Sequence, residues 1–165
     1  MAARRELGDG RSGSELTILD LLSYRLHRVA NGMSRSAALR YRREFGVNLG
    51  EWRAIALIGC DPQLTLSDLA RLAGLDKAQM SRVVSKLVER GLISRQSGAS
   101  RSTQLTLSPA GEDLYKRLMG AASERNEAFS ACLTPEERTT LDRALNKLRA
   151  VARETELMER AIGNE

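Results

Sequence analysis

The sequence contains few of the residues that metal binding and nucleophilic catalysis require. It has one histidine, His27, and two cysteines, Cys60 and Cys132, which lie far apart and form no CxxC pair. A zinc site of the usual Cys/His type cannot be assembled from this set within one chain. No GxSxG turn is present to carry a serine nucleophile. We therefore expect no enzymatic activity, no metal and no cofactor, and two buried, inert thiols.

Aromatic residues and long apolar segments are also scarce. Phe, Tyr and Trp make up 4% of the 165 residues, which favours a helical core of Leu, Val, Ile and Ala over a β-sandwich. The longest apolar run, residues 55–60, is far shorter than the roughly 20 residues that a membrane-spanning helix needs. The N-terminal segment lacks the apolar stretch of a secretory signal. The sequence thus predicts a cytoplasmic protein of one domain with appendages.

Basic residues are in excess, and the excess is unevenly placed. The formal net charge is +5, and residues 65–108 carry seven basic and three acidic side chains. Residues 109–165 carry nine basic and eleven acidic side chains. A basic segment of this kind suits an anionic partner such as double-stranded DNA.

Helix start and stop signals divide the first half of the chain. Residues 1–12 are predicted to be a flexible tail, and the capping box of Ser12 and Glu15 predicts a helix from residue 13 to 46. Its apolar residues recur at steps of three and four, which is typical of a helix–helix seam: Leu19, Leu22, Leu26, Val29 and Met33. Helices are also predicted over 49–59, 65–74 and from Asp76 onward. The last two are joined by a short Gly-containing turn, as in a helix–turn–helix.

The helix that follows Asp76 has one apolar and one polar face. A polar face of this type can lie in the major groove, where Arg pairs with guanine and Gln with adenine, although any solvated helix has such a face. Polar and apolar residues then alternate in the segments on either side of a Gly-containing tip within residues 93–107, which predicts a β-hairpin, or wing. Its basic side chains are suited to contact phosphates. The DNA-binding residues predicted from these faces are Ala78, Gln79, Arg82, Ser85, Lys86, Arg95 and Arg101.

The C-terminal third is predicted to be helical again. Ser108-Pro109 and Thr134-Pro135 are helix starts, and the second is followed by Leu141, Leu145, Leu148 and Ala152 at seam spacing. The predicted fold class is mainly α with a small β-hairpin wing (α+β). A winged helix–turn–helix domain, 47–108, is flanked by dimerisation helices at 13–46 and 109–165. Seams left half exposed in one chain predict a homodimer.

In their order along the chain and in their amino-acid sequence, these segments resemble the MarR family of winged helix–turn–helix regulators. The similarity is carried by LSDLAR (66–71), KAQMSRVVSKLVERGLI (77–93), Arg101 and LTLSPAG (105–111). The resemblance implies a homodimeric DNA-binding transcriptional regulator, a repressor of a pseudo-palindromic operator. It places Arg101 at the family's wing arginine and adds Ser81 to the predicted DNA-binding residues, because the family's recognition helix corresponds to Ala78, Gln79, Ser81, Arg82 and Lys86. The family's usual Asp two positions earlier is Ala99 here, and the tip is about two residues short.

Many MarR-family proteins bind small aromatic anions between the dimer helices and the winged lobe and then release DNA. By resemblance, the lining would include Tyr24, His27, Arg28, Trp52 and Arg53, with ordinary core or surface roles as the alternative. Two other functions stay open: a redox-sensing regulator that uses Cys60 or Cys132, and a sequence-independent architectural DNA-binding protein.

Overall fold

The computed structural model describes residues 16–97 and 103–163 of the chain. These ranges contain six α-helices and one hairpin: α1 (Leu22–Phe45), α2 (Leu49–Cys60), α3 (Leu66–Ala73), α4 (Lys77–Glu89), β1 (Ile93–Ser97), β2 (Thr103–Leu107), α5 (Pro109–Ser130) and α6 (Pro135–Ile162). This arrangement confirms the predicted fold class. None of these helices combines the length and hydropathy needed to cross a bilayer.

Helix ends fall where the sequence places glycines and capping residues. Gly46 and Gly74 adopt left-handed conformations, with φ of 64° and 68°, and end α1 and α3. Only glycine enters this region without a steric penalty from a Cβ. Thr65 and Asp76 cap α3 and α4 by accepting hydrogen bonds from the third amide of each helix. The predicted turn between these helices is therefore confirmed.

The start of the first helix differs from the prediction. A 3₁₀ turn, Ile18–Asp20, comes first, and the extended backbone of Leu21 separates it from α1. The side chain of Asp20 accepts a hydrogen bond from the Thr17 amide at 3.0 Å, so a cap lies later than expected. The predicted start at Gly13 lies outside the described residues. A step of three residues fits a 3₁₀ turn as well as an α-helix, which is why spacing alone did not separate them.

The core lies between α2, α3, α4, the hairpin and the first half of α5. Its largest fully buried apolar side chains include Ile55, Leu69, Met80, Leu87 and Leu118. In contrast, α1 buries only Ala37 and Tyr41, and α6 buries no residue. Most of this core belongs to the winged lobe, defined as α2 to β2 (residues 49–107). Helix α5 adds Leu114, Leu118 and Ala121 to it, whereas the long helices α1 and α6 add little.

The hairpin is fixed to the lobe at its base. The strands pair antiparallel, with Ile93 opposite Leu107 and Arg95 opposite Leu105. The amide of Ser108 donates to the Leu92 carbonyl at 3.0 Å. A Cβ on Gly111 would overlap that same carbonyl oxygen. The close approach of α5 to the hairpin base thus requires glycine at this position.

Candidate nucleic-acid interface

Helix α4 presents two distinct faces. Met80, Val84 and Leu87 are buried, and Val83 and Val88 pack against them. On the other side Ala78, Gln79, Arg82 and Lys86 are exposed, while Ser81 and Ser85 are half-buried. The 3.6-residue period of the sequence produces this separation. The predicted helix face is therefore available to a partner.

The N-terminus of α4 holds Gln79 in a capping box. Its amide donates to the Asp76 carboxylate at 2.7 Å, and its side-chain oxygen accepts from the Asp76 amide at 3.3 Å. The Gln79 side chain thus has a defined position in the free protein. Its NH₂ group is a donor that can still approach the edge of a base.

Arg82 lies in the middle of the exposed face. It is exposed and forms no ion pair with any residue in the described ranges, so its guanidinium is accessible to a partner. A guanidinium in this position can form the bidentate contact with guanine O6 and N7. Of the two cations predicted on α4, Arg82 is the one without an ionic partner among the described residues, whereas Lys86 has one.

Lys86 has a partner that the sequence reading did not assign. Its Nζ lies 3.1 Å from Oε1 of Glu51, a carboxylate in α2 that is 2% exposed. Arg90, which follows α4, approaches Oε2 of the same carboxylate at 3.3 Å. The sequence marks Glu51 only as the third residue of a capping box with Asn48, and such residues are usually at the surface.

Near the hairpin base, two predicted DNA-binding residues contact each other. The guanidinium of Arg95 donates to the Ser85 hydroxyl at 3.0 Å, which connects β1 to α4. Arg101 and the hairpin tip lie outside the described residues, and so does Ala99. The structure therefore tests the base of the wing and leaves its tip as a prediction.

A cavity of about 350 Å³ lies between α3, α4 and the hairpin. Two cations and three hydroxyls are among its lining residues, namely Lys77, Arg95, Thr65, Ser67 and Ser81. Sequence reasoning missed three of them, namely the α3 cap Thr65, Ser67 on α3 and Lys77 at the start of α4, although both capped helix starts were visible in the sequence. Asp68 completes the capping box of α3 with Thr65. Hydrogen bonds from the Thr65 hydroxyl and the Arg71 guanidinium lower the pKa of Asp68, so its carboxylate is negatively charged at neutral pH.

The five predicted ligand residues do not form one group within the chain. Trp52 packs on the ring of Tyr41, with centroids 5.1 Å apart, and Arg53 donates to the Ala73 carbonyl at 2.8 Å. Arg28 precedes Tyr41 by about 13 residues of continuous helix, which corresponds to roughly 20 Å. Tyr24 and His27 lie still farther along α1. The length of α1 therefore keeps Tyr24, His27 and Arg28 apart from the two predicted ligand residues on α2.

Both cysteines are exposed, so the expectation of buried thiols is wrong. Cys60 is the last residue of α2, where the helix leaves the core, and Cys132 lies in the turn after α5. The Sγ of Cys60 is 3.8 Å from the hydroxyl of Tyr115. This contact raises the pKa of the Tyr115 phenol, with a smaller contribution from burial. Among the described residues no cluster of three potential metal ligands is found.

Comparison with known proteins adds independent evidence for the family. A MarR-family model matches residues 45–101. The HTH-type transcriptional repressor Rv2887 of Mycobacterium tuberculosis is 30% identical over 131 residues, covering 77% of this chain and 92% of the repressor. A crystal structure of Rv2887 with p-aminosalicylic acid superposes with a TM-score of 0.65 at 28% identity, over 78% of this chain and 98% of that chain.

A second solved structure agrees more closely in shape. The MarR/EmrR family transcriptional regulator from Acinetobacter sp. ADP1 has a TM-score of 0.78 at 26% identity. The match covers 84% of this chain and 99% of that one. Together with the exposed face of α4 and the adjoining wing, these similarities place the chain in the MarR family of winged helix–turn–helix, DNA-binding transcriptional regulators.

Proposed function

We propose that this chain is a sequence-specific repressor that binds a pseudo-palindromic operator as a homodimer. The exposed polar face of α4, backed by a buried apolar stripe and flanked by a basic hairpin, is the observation that carries the proposal. In this arrangement α4 lies in the major groove, with Arg82 at a guanine and Gln79 at an adenine. Arg101 at the wing tip meets a phosphate or the minor groove. The similar protein Rv2887 is a transcriptional repressor, which supports repression as the direction of regulation.

The homodimer is supported by apolar residues that one chain leaves exposed. On α1 they are Leu22, Leu26, Val29 and Met33, here named the α1 seam, with exposed fractions from 38% to 64%. The α6 seam comprises Leu141, Leu145, Leu148 and Ala152, of which Leu141 and Leu145 are each 43% exposed. A second copy would cover both seams. Two α4 helices would then contact half-sites about 10 bp apart.

A titration with DNA tests the sequence specificity. The purified protein selects duplexes from a random pool, and the enriched duplex is compared with random DNA of equal length at two salt concentrations. The proposal predicts saturable binding to the enriched duplex that is at least about 10³-fold tighter. Equal affinity for both duplexes would instead support the architectural alternative, and absence of binding at low salt would overturn the proposal.

A small aromatic carboxylate as effector is the second part of the proposal. The complex of Rv2887 with p-aminosalicylic acid supports it. Tyr24, His27 and Arg28 lie on the first two turns of α1 and offer an aromatic ring and nitrogen donors to such an anion. Addition of p-aminosalicylate should release the enriched duplex, and Arg28→Ala should weaken this release. DNA binding that is insensitive to millimolar ligand would remove this effector class.

The exposure of both cysteines supports a second candidate function, that of a redox-sensing regulator. An accessible thiol can be oxidised, whereas a buried one is protected. Peroxide treatment should be compared in the wild type and in Cys60→Ser and Cys132→Ser. Loss of DNA binding that one of these substitutions prevents would identify a redox-sensing regulator. Unchanged DNA binding after oxidation would exclude that function.

A further inference from the structure

Glu51 is unusual because it is a charged residue in the core of the winged lobe. It is the one charged side chain classed as buried in the part of the chain that the structure describes, with 2% of its surface exposed. A carboxylate removed from water in this way is tolerated only if cations and hydrogen-bond donors compensate it. The contacts of its two oxygens therefore indicate what the residue does.

Each oxygen of the carboxylate has a different role. Oε2 accepts the Asn48 amide at 2.9 Å, which completes the cap of α2, and it also accepts from Arg90 at 3.3 Å. Oε1 is buried and makes no hydrogen bond within the described residues. The Nζ of Lys86 lies 3.1 Å from Oε1 and is its compensating charge. Removal of Lys86 would leave this oxygen without a cation.

Both cations belong to the C-terminal end of α4 and its cap. Lys86 is in the last turn, and Arg90 is the residue at which the helix ends. They are four residues apart and so lie on one side of the helix. The carboxylate on α2 thus holds the C-terminal end of α4, while Gln79 and Arg82 project from the N-terminal half.

We propose that Glu51 is a positioning residue for DNA recognition, because its ion pairs with Lys86 and Arg90 fix α4 on α2. The inference rests on the proposed function of α4 as the recognition helix. It gives Lys86 a role different from the direct DNA contact that its position on α4 predicts. Glu51 does not touch DNA in this scheme, and it acts through the direction in which Gln79 and Arg82 project.

Glu51→Gln is the first test, because it keeps the side-chain shape and the capping oxygen while it removes the charge. Affinity for the enriched duplex should fall about tenfold, the size of one lost base contact. Affinity for random DNA should stay the same or rise, since Lys86 and Arg90 become free to approach phosphates. The ratio of specific to random affinity is therefore the readout. A purely structural role would not move this ratio in a variant that remains folded.

Glu89→Gln is the matched control, because Glu89 is exposed at the same end of α4 and the charge change is identical. This control should raise both affinities slightly and leave their ratio unchanged. If Glu51→Gln behaves in the same way as Glu89→Gln, the positioning role is overturned.

Lys86→Met keeps the test decisive even if Glu51→Gln does not fold, because the Lys86 side chain is 61% exposed. A positioning role predicts a lower affinity ratio with an unchanged salt dependence. A direct phosphate contact predicts equal losses on both duplexes and a salt slope about one unit smaller, and this would overturn the inference. The double variant should lose no more than Glu51→Gln alone, because that change already removes the carboxylate charge with which Lys86 pairs. If the wild type itself shows no preference for the enriched duplex, the proposed function fails first.

Discussion

The winged lobe and the two long helices α1 and α6 differ in how their apolar residues are covered. In the lobe, Leu69, Met80 and Leu87 are fully buried by residues of the same chain. In α6 no residue is buried, and Val151, Leu157, Met158 and Ile162 are between 60% and 68% exposed. An exposed apolar surface of this extent usually marks an interaction site in a protein. The core of the lobe is therefore covered within one chain, whereas the apolar residues of α6 remain for the second copy proposed above.

This difference separates the two tasks of the molecule. The lobe carries the surface for DNA, and its rigidity comes from a core that one chain supplies. In the proposed homodimer, the long helices α1 and α6 carry the surface for assembly, and their packing sets the spacing of the two lobes. Substitutions in one region should therefore leave the properties of the other largely intact, except that two half-sites can be bound together only by a dimer.

A charge in the α6 seam should have the largest effect. Leu145→Lys places an ammonium at two symmetry-related positions of the proposed interface, and each lost leucine removes about 1.5–3 kcal/mol of burial. The dimer dissociation constant should rise by about 100-fold or more, and binding to the enriched duplex should be lost at concentrations that saturate the wild type. Sedimentation velocity at several dilutions measures the first effect.

Ala150→Lys is the control and should remain dimeric, because Ala150 is exposed on the side of α6 opposite the seam. If Leu145→Lys is as dimeric as the control, the seam is not the interface. If it is monomeric and still unfolds cooperatively, the lobe is stable on its own, as the comparison requires.

A smaller effect is expected from Leu87→Ala in the monomeric Leu145→Lys background. Leu87 is 0% exposed, so its truncation leaves a cavity and should lower the free energy of unfolding by about 2–5 kcal/mol. Leu141→Ala in the same background should change that free energy by less than about 0.5 kcal/mol, because the residue is exposed in one chain. Urea denaturation followed by circular dichroism compares them. Equal losses would mean that α6 packs on the lobe after all.

Within the lobe, Arg82→Ala should weaken binding to the enriched duplex by about 1–3 kcal/mol and relax the preference at one base pair. Its oligomeric state should not change. Arg117→Ala, in which an exposed arginine of α5 is removed, corrects for the loss of one positive charge. If both variants bind specific and random duplexes alike, Arg82 does not read a base.

The parts of the fold that the sequence predicted correctly are those that depend on local signals. The glycine stops at 46 and 74 and the caps at Thr65 and Asp76 depend on residues within one turn, and the structure confirms them. The apolar stripe of α4 is similarly local, since it needs only the period of one helix.

The features that sequence reasoning missed depend on neighbours that are distant in the chain. Burial of Glu51 results from α4 packing over α2, and its partners lie 35 and 39 residues away. The exposure of Cys60 is set by the point where α2 leaves the core. Neither feature follows from a local sequence pattern.

Arg101→Ala should have the smallest effect and distinguishes the wing from α4. The sequence alone supports this prediction, since the tip is outside the described residues. Loss of one phosphate contact should weaken binding to specific and random duplexes by the same factor and reduce the salt slope by about one unit. The dimer dissociation constant should stay unchanged. A loss confined to the enriched duplex would instead mean that Arg101 enters the minor groove and contributes to sequence selection. An unaltered salt slope with unaltered affinities would remove the wing tip from the DNA-binding surface and leave recognition to α4 alone.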